Sequence, residues 1–309
     1  MTDPVVEELA AGCVGRVRAG TEVAAMTTLR VGGPARAVVV AERDEDLAAV
    51  GSCAMAHGLP WLVVGRGSNL LVADAGWPGI VVQLGRAYRG LEIEGTRVRV
   101  GAAEPLPALA VRLADAGVAG FAWAAAVPGA IGGAVRMNAG AHGSQMADHL
   151  READVVRLTT GTRETWPAEA LGMSYRHTEL PGDAVVVSAV LELRPGDAAE
   201  VREEIRAIRA WRREHQPINE PTCGSVFTNP PGDSAGRLVD AVGGKGLRVG
   251  GARVSERHAN FIVTEPGATA ADVRGLVDLL AERVLAEHGI RLRPEVVMLG
   301  DFDARVDVG

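Results

Sequence analysis

The chain has 309 residues, with 39 Asp and Glu against 32 Lys and Arg and a formal net charge of −7. That length accommodates two domains with sizeable cores, and the mild acidity excludes a global field drawing in nucleic acid or anionic membrane, so any anionic ligand must meet a local cluster. Three cysteines without CxxC spacing exclude a disulfide scaffold and a paired-cysteine zinc site and point to a reducing, cytoplasmic setting.

Asp3, Glu7 and Glu8 precede any apolar run, against a cleaved secretory leader. From about 36 to 84 the pattern alternates between strand and helix: a valine run at 38–40, Asp44 as N-cap of a helix closing at Gly58, and apolar residues at 61–64. This predicts a βαβ-like unit. Residues 91–101 predict a hairpin, Leu91 and Ile93 facing Val98 and Val100 across Glu94-Gly95-Thr96. A helix is expected from about Pro105 to Gly117. Residues 116–135 then carry no charge, a length that spans a bilayer, but Pro128, Gly129, Gly132 and Gly133 interrupt the run and most of the rest is alanine. A bound cofactor is the better reason for a buried, glycine-rich, uncharged segment.

Further strands are expected at 155–158 and 184–193. Past the Pro and Gly at 194–197, Val201, Ile205, Ile208 and Trp211 recur as one buried stripe of a charged helix, which places a domain boundary near 196. Short strands follow within 246–263, then a helix from Thr269 to about His288, with Thr269 and Asp272 as a capping box and Val273, Leu276, Val277, Leu280 and Val284 as its inner stripe. A last strand is expected near 292–299.

Two glycine clusters stand out among the 39 glycines, a content well above the usual ~7%. The first, VGRGSNLLV at 64–72, leaves a strand as a Gly-x-Gly turn that exposes backbone N–H groups to a diphosphate. Leu70 stands where a dinucleotide fingerprint needs its third glycine, so on this segment alone a tight turn without ligand is the better reading. The second, VPGAIGGAVRMNAGAHG at 127–143, has enough small residues to admit a flat ligand or another backbone. Two such stretches, both poor in charge, favour a bound nucleotide cofactor. Ser225 lies in no GxSxG elbow, and VGGKG at 242–246 has Val239 and Gly246 where a phosphate-binding P-loop needs Gly and Ser or Thr. The histidines form no HExxH motif or His-x-His pair, so no metal is expected.

The two clusters, with TTLRVGGPA at 27–35, Ser174-Tyr175-Arg176, Gln216-Pro217, GSVFTNP, GGARVSERHANFIV at 250–263 and Arg293-Pro294-Glu295-Val296, occur in an order that resembles the UDP-N-acetylenolpyruvoylglucosamine reductases (UDP-N-acetylmuramate dehydrogenases). The resemblance covers about residues 20–300. It implies an α+β chain: a two-lobed FAD-binding domain of the vanillyl-alcohol-oxidase type at 20–196, with lobes of about 20–73 and 74–196, and an α+β substrate-binding domain at 197–309. It further implies reduction of FAD by NADPH, then hydride transfer to the enolpyruvyl ether of UDP-N-acetylglucosamine enolpyruvate, giving UDP-N-acetylmuramate for peptidoglycan. Another flavin oxidoreductase on the same scaffold and a non-catalytic UDP-sugar-binding protein are the alternatives.

The resemblance carries roles to particular residues. Ser225 matches the proton donor, Arg176 the stabiliser of carboxylate and intermediate, and Glu295 a second polar partner at the enol ether. Gly65, Arg66, Gly67, Ser68, Asn69 and Leu70 would cradle the FAD diphosphate. Pro128, Gly129, Ile131, Gly132, Gly133, Asn138, Ala139 and Gly140 would lie along the flavin. Ser68 and Asn69 stand where relatives tether flavin through histidine, implying non-covalent FAD. Asn229, Lys245 and His258 are candidates for the UDP group, although Lys245 also suits a turn. Only 49 positions separate Arg176 from Ser225, which resembles a shorter subclass without the tyrosine-bearing loop over the substrate. Thr228 and His142 also depart from the residues common in the family.

Overall fold

The computed structural model describes residues 3–302. The chain forms two compact units. The first comprises the chain up to Ala19, Ala37–Gly65 and Gly79–Trp211, and the second Gly20–Arg36, Arg66–Pro78 and the chain from Arg212 onward.

In the first unit, helices α1 (Pro4–Gly12) and α2 (Asp44–Ala56) accompany a four-stranded sheet ordered Arg16–Glu22, Pro34–Ala41, Trp77–Leu84, Trp61–Val63. The expected strand–helix–strand succession is present, but Trp77–Leu84 lies between the two strands and pairs parallel with Trp61–Val63. The helix start differs from expectation. Arg43 is the N-cap without a side-chain bond, and the fully buried Asp46 accepts from the amides of Glu42, Val14 and Gly15 at 2.9, 2.9 and 3.1 Å. Its carboxyl is held below the usual range: burial opposes ionisation, but these amides and Arg43 outweigh it.

A second sheet in the same unit is antiparallel throughout, ordered Arg163–Pro167, Leu150–Arg157, Ala184–Glu192, Arg97–Gly101, Leu91–Glu94. Its hairpin pairs Leu91 with Val100 and Ile93 with Val98, as the alternation required. Helix α3 (Leu106–Asp115), a 3-10 turn at Ala122–Ala126 and the short α4 (Ile131–Arg136) complete this region. Phe121, Trp123, Ile131 and Val135 of the uncharged stretch are core residues, and no helix among the described residues is long and apolar enough to cross a membrane.

Helix α5 (Ala198–His215) buries Val201, Ile205 and Ile208 in the same core as Leu113, Val118 and Leu193. That packing carries the first unit to Trp211, past the boundary expected near 196. Trp211 is not part of the buried stripe: it is 42% exposed, with its ring edge-on to His142 at 5.1 Å.

In the second unit, strands Thr222–Ser225, Phe261–Thr264, Ala252–Val254 and Arg248–Val249 form an antiparallel sheet in that order. Helices α6 (Ala235–Ala241) and α7 (Ala270–His288) share its core. Both halves of the Thr269/Asp272 capping box are made, and Gly289 ends α7 at φ +68°. All five stripe residues of α7 are buried, each worth about 1.5–3 kcal/mol. The chain around residues 20–36 and 66–78 belongs here because its polar groups are satisfied here. The Asp74 carboxylate accepts from Ala270 and Ala271 N at 2.7 and 2.9 Å, and Thr264 Oγ1 donates to Leu29 O at 2.6 Å. The terminal strand is shorter than expected, Val297–Leu299, and pairs parallel with Leu70–Val72. The lobe expected at 20–73 is therefore divided between the units.

Candidate active site

The first glycine cluster forms a turn between strands Trp61–Val63 and Leu70–Val72. Gly67 sits at φ +57°, and a Cβ there would stand 2.2 Å from the Met26 carbonyl oxygen, so both the backbone conformation and the space demand glycine. Among the described residues, the amides of Gly65, Arg66, Gly67, Ser68 and Asn69 donate to no protein acceptor. Thr28, whose amide donates to Gly67 O at 3.2 Å, holds a buried hydroxyl that also lacks a partner. Successive unsatisfied donors in a turn make an anion cradle, and this one fits a diphosphate. Leu70 begins the following strand. The sequence reading missed Thr28, whose only signal was its place within the TTLRVGGPA segment.

The second cluster, in the first unit, divides into exposed and supporting residues. Pro128 and Gly133 are exposed, and Gly129, Gly132, Ala139 and Gly140 are half-buried. A Cβ at Gly133 would meet nothing within 4 Å, whereas one at Gly132 would stand 3.2 Å from Ala102 Cβ. Gly132 N and Ile131 N donate to Ala102 O and Glu104 O at 2.9 and 3.1 Å. Ile131 is wholly buried in the core, and its side chain anchors the segment.

Asn138 is also wholly buried, at φ +40°. Its Nδ2 donates to Ser174 O at 2.9 Å and to Gln145 Oε1 at 3.2 Å, and its Oδ1 accepts from Ala147 N at 2.9 Å. The side chain expected along the flavin is thus committed to protein, and it ties the cluster to the Ser174-Tyr175-Arg176 turn. Two further ties act on that turn. Thr178 Oγ1 donates to Arg136 O at 2.8 Å, and the Arg136 guanidinium donates to Leu180, Pro181 and Ala184 carbonyls at 2.8, 2.9 and 3.1 Å.

Ser174 and His177 exchange main-chain hydrogen bonds, leaving Tyr175 and Arg176 at the tip. Arg176 is half-buried at φ +56°, its Nη2 donates to Gly140 O at 2.9 Å, and its guanidinium lies 5.0 Å from the Tyr175 ring centroid. Left-handed Asn138, His142 and Arg176 in one neighbourhood are a concentration of backbone strain of the kind retained at functional sites.

In the second unit, Ser225 ends the strand Thr222–Ser225, opposite Phe261. The next residue, Val226, donates to Asn260 O at 2.9 Å and accepts at its own carbonyl from Glu295 N at 2.7 Å. Glu295 thereby sits one residue across from Ser225. Asn260, 4% exposed, clamps the following residue: Phe227 N donates to its Oδ1 at 2.9 Å and its Nδ2 donates to Phe227 O at 2.8 Å. The Ser225 hydroxyl is half-buried and makes no hydrogen bond to protein among the described residues, so its proton is available. Burial pushes the Cys223 thiol up to about 12, and the nearby Glu295 charge adds to that shift. Cys223 is therefore a core residue, not a nucleophile. The cofactor turn reaches the same place: Asn69 Nδ2 donates to Glu295 O at 3.1 Å and Val297 N to Asn69 O at 3.0 Å.

The three UDP candidates lie in the second unit too. Asn229 Oδ1 accepts from Ala235 N at 3.0 Å at the start of α6. Lys245 Nζ donates to Asp240 Oδ2 at 2.9 Å on the surface. His258 is half-buried, its Nδ1 accepts from Asn260 N at 3.2 Å, and its ring packs on Phe261 at 4.7 Å. Burial, then the positive charges of Lys245 and His215, push its pKa down, so the three bases occupy one neighbourhood.

A family model described as UDP-N-acetylenolpyruvoylglucosamine reductase, C-terminal domain, matches residues 216–299, and one described as FAD binding domain matches residues 35–165. The UDP-N-acetylenolpyruvoylglucosamine reductase of Heliobacterium modesticaldum is 44% identical over 285 residues, covering 92% of this chain and 90% of the relative. That of Bacillus subtilis is 38% identical over 302 residues, covering 96% and 99%. The crystal structure of the corresponding reductase from Thermus caldophilus superposes with a TM-score of 0.81 at 37% identity, covering 93% of this chain and 100% of that one. With the FAD-binding domain matched and the relatives aligned over nearly their whole length, the chain belongs to the UDP-N-acetylenolpyruvoylglucosamine reductase family.

Proposed function

We propose that this chain reduces the enolpyruvyl ether of UDP-N-acetylglucosamine enolpyruvate to the lactyl ether of UDP-N-acetylmuramate, in peptidoglycan precursor synthesis, with NADPH as the source of the hydride and non-covalent FAD as its carrier. The reading draws on the near full-length alignment with reductases of that name. The single structural observation that carries it is the hydrogen bond from Glu295 N to Val226 O, which sets Glu295 beside the free hydroxyl of Ser225. FAD, when bound, would supply two-electron hydride chemistry between NADPH and the methylene carbon of the enolpyruvyl group.

The protein's own share is to hold the cofactor and to manage charge and a proton. The amides of residues 65–69 and the Thr28 hydroxyl would hold the diphosphate, and Gly133, where a Cβ would meet nothing within 4 Å, leaves room beside the ring system, with Gly129, Gly132 and Gly140 fixing the backbone that would lie along it. Hydride arrival leaves negative charge on the adjacent carbon and its carboxylate. Arg176, fixed by its bond to Gly140 O, stabilises that charge, an aimed donor being worth about 3 kcal/mol. Ser225 gives its proton to that carbon, closing the balance of one hydride and one proton added across the double bond; general acid catalysis of this kind contributes ~10² to 10⁴. Glu295 polarises the enol ether. Asn229, Lys245 and His258 meet the UDP group, where the positive corner suits a diphosphate. A cytoplasmic setting agrees with the nucleotide substrate and with three cysteines that form no disulfide among the described residues.

Turnover of authentic UDP-N-acetylglucosamine enolpyruvate by the yellow, FAD-loaded protein, followed by NADPH oxidation, tests this function. Flavin loading without turnover points to a different flavin enzyme on this scaffold, and failure to bind FAD contradicts both.

A further inference from the structure

Helices α1 and α2 of the first unit join through Val5 and Leu9, which share a core with Leu47, Val50, Cys53 and Ala54. Three side chains converge beside that seam. Cys53 and His57 are four residues apart, and the helical bond from His57 N to Cys53 O at 3.1 Å keeps them on one face. Glu8 comes from α1. The Cys53 thiol sulfur, a His57 ring nitrogen and a Glu8 carboxylate oxygen all lie within 4.8 Å of one another, with His57 Nε2 and Glu8 Oε2 2.8 Å apart.

We propose that Glu8, Cys53 and His57 form a binding site for a divalent cation of the zinc class, through one thiolate, one imidazole and one carboxylate oxygen. A thiolate, an imidazole and a carboxylate make a borderline-soft donor set that suits zinc or cobalt(II) and disfavours magnesium or calcium. The two anionic donors neutralise the ion. Zinc holds such donors at about 2.0–2.3 Å, and the Glu8 side chain, 49% exposed, has room to change rotamer toward that geometry. Burial is graded in the sense a metal needs: Cys53 is 1% exposed, while the His57 and Glu8 side chains are 32% and 49% exposed. The sulfur end is dry and the outer end open to a solvent ligand in the fourth position. A surface His–Glu pair alone, worth about 0–1 kcal/mol, accounts for two of the three groups but not for the buried thiol that lies within 4.8 Å of both. The site escaped sequence reading because it pairs one Cys with one His on a helix and draws its third donor from another helix 45 residues upstream. It shares no residue with the proposed reductase site.

The test uses the FAD-loaded full-length chain, stripped with chelator and titrated with cobalt(II) and then zinc. One equivalent of cobalt(II) is expected, with tetrahedral d–d bands to the red of the flavin absorption that disappear when zinc displaces it. Glu8→Gln and His57→Gln, both surface changes, should each weaken zinc binding by about 10-fold or more, with flavin content and NADPH-dependent flavin reduction unchanged. Cys53→Ser should abolish the bands. Absence of saturable binding, or zinc affinity unchanged in the Glu8 and His57 variants, would overturn the proposal.

Discussion

The Asn69 side-chain amide donates to the Glu295 main-chain carbonyl at 3.1 Å, joining positions 226 residues apart in sequence. The turn assigned to the FAD diphosphate and the main chain of the residue assigned to the enol ether are therefore the two ends of one hydrogen bond. Replacing Asn69 by Ala removes a bond worth about 1 kcal/mol net. We expect FAD affinity, measured by fluorescence titration, and kcat/KM to fall together by roughly 5- to 10-fold. A loss confined to FAD affinity would separate the two roles.

Gly67 and Gly65 make a matched comparison within the same turn. At Gly67 a Cβ collides with Met26 O and the backbone is left-handed, whereas at Gly65 the nearest atom to a Cβ is Ala130 Cβ at 3.7 Å. Gly67→Ala is expected to be purified largely without flavin and to lose several degrees in Tm. Gly65→Ala should fold as the parent does and retain FAD, since nothing obstructs its methyl group. Flavin content per chain and thermal unfolding measure both.

Asn138 supports the turn that carries Arg176 through its bond to Ser174 O. Its removal leaves the half-buried Ala147 N without its acceptor, at about 1–3 kcal/mol, while Ser174 O keeps only its bond from His177 N, and Ala adds about 1–2 kcal/mol for the left-handed backbone. Asn138→Ala should be destabilised by several kcal/mol in denaturant unfolding. Asn138→Gly recovers only the backbone part. If the two variants are equally stable, the strain assigned to this position is absent.

Two histidines set a pH window for stability. Burial pushes down the pKa of His258, with Lys245 and His215 adding to it, and burial likewise pushes down His149, whose ring stacks on Trp123 at 6.4 Å. Above the ordinary histidine pKa of about 6.5, folded and unfolded chains are both neutral at these sites and nothing is lost. As pH falls through about 6.5, the unfolded chain takes up protons that the fold excludes, so stability declines toward the depressed folded-state values. Urea unfolding between about pH 7.5 and 5 should show this decline, and His258→Gln should flatten part of it.

Much of this arrangement is legible in the residues. The periods of α7 and of the 91–101 hairpin are strong because one face of each packs and the other is solvated, and Thr269, Asp272 and Gly289 mark ends by local chemistry. The glycine clusters are legible in composition, and at Gly67 and Gly140 close backbone approach admits no substitute. What is hidden is long-range. Trp211 fits a helical stripe, yet the core ends one turn earlier. Asp46, not Asp44, is the buried carboxylate of α2, because its acceptors serve amides from a distant segment. The boundary near 196 follows composition, whereas the units follow packing of α5 and strand pairing between 70–72 and 297–299. Asn138 stands in a glycine-rich motif that points to a cofactor, and the structural part of its role is hidden because its three protein partners lie 7 to 36 residues away.

The central claim is that Ser225 supplies a proton to the substrate and has no part in loading the flavin with electrons. The direct measurement is anaerobic stopped-flow on Ser225→Ala, with flavin reduction by NADPH and reoxidation by UDP-N-acetylglucosamine enolpyruvate followed separately at the flavin absorbance. The account predicts reduction within a few-fold of the parent and reoxidation slower by ~10² or more. Equal slowing of both half-reactions, or reoxidation at the parental rate, would contradict it.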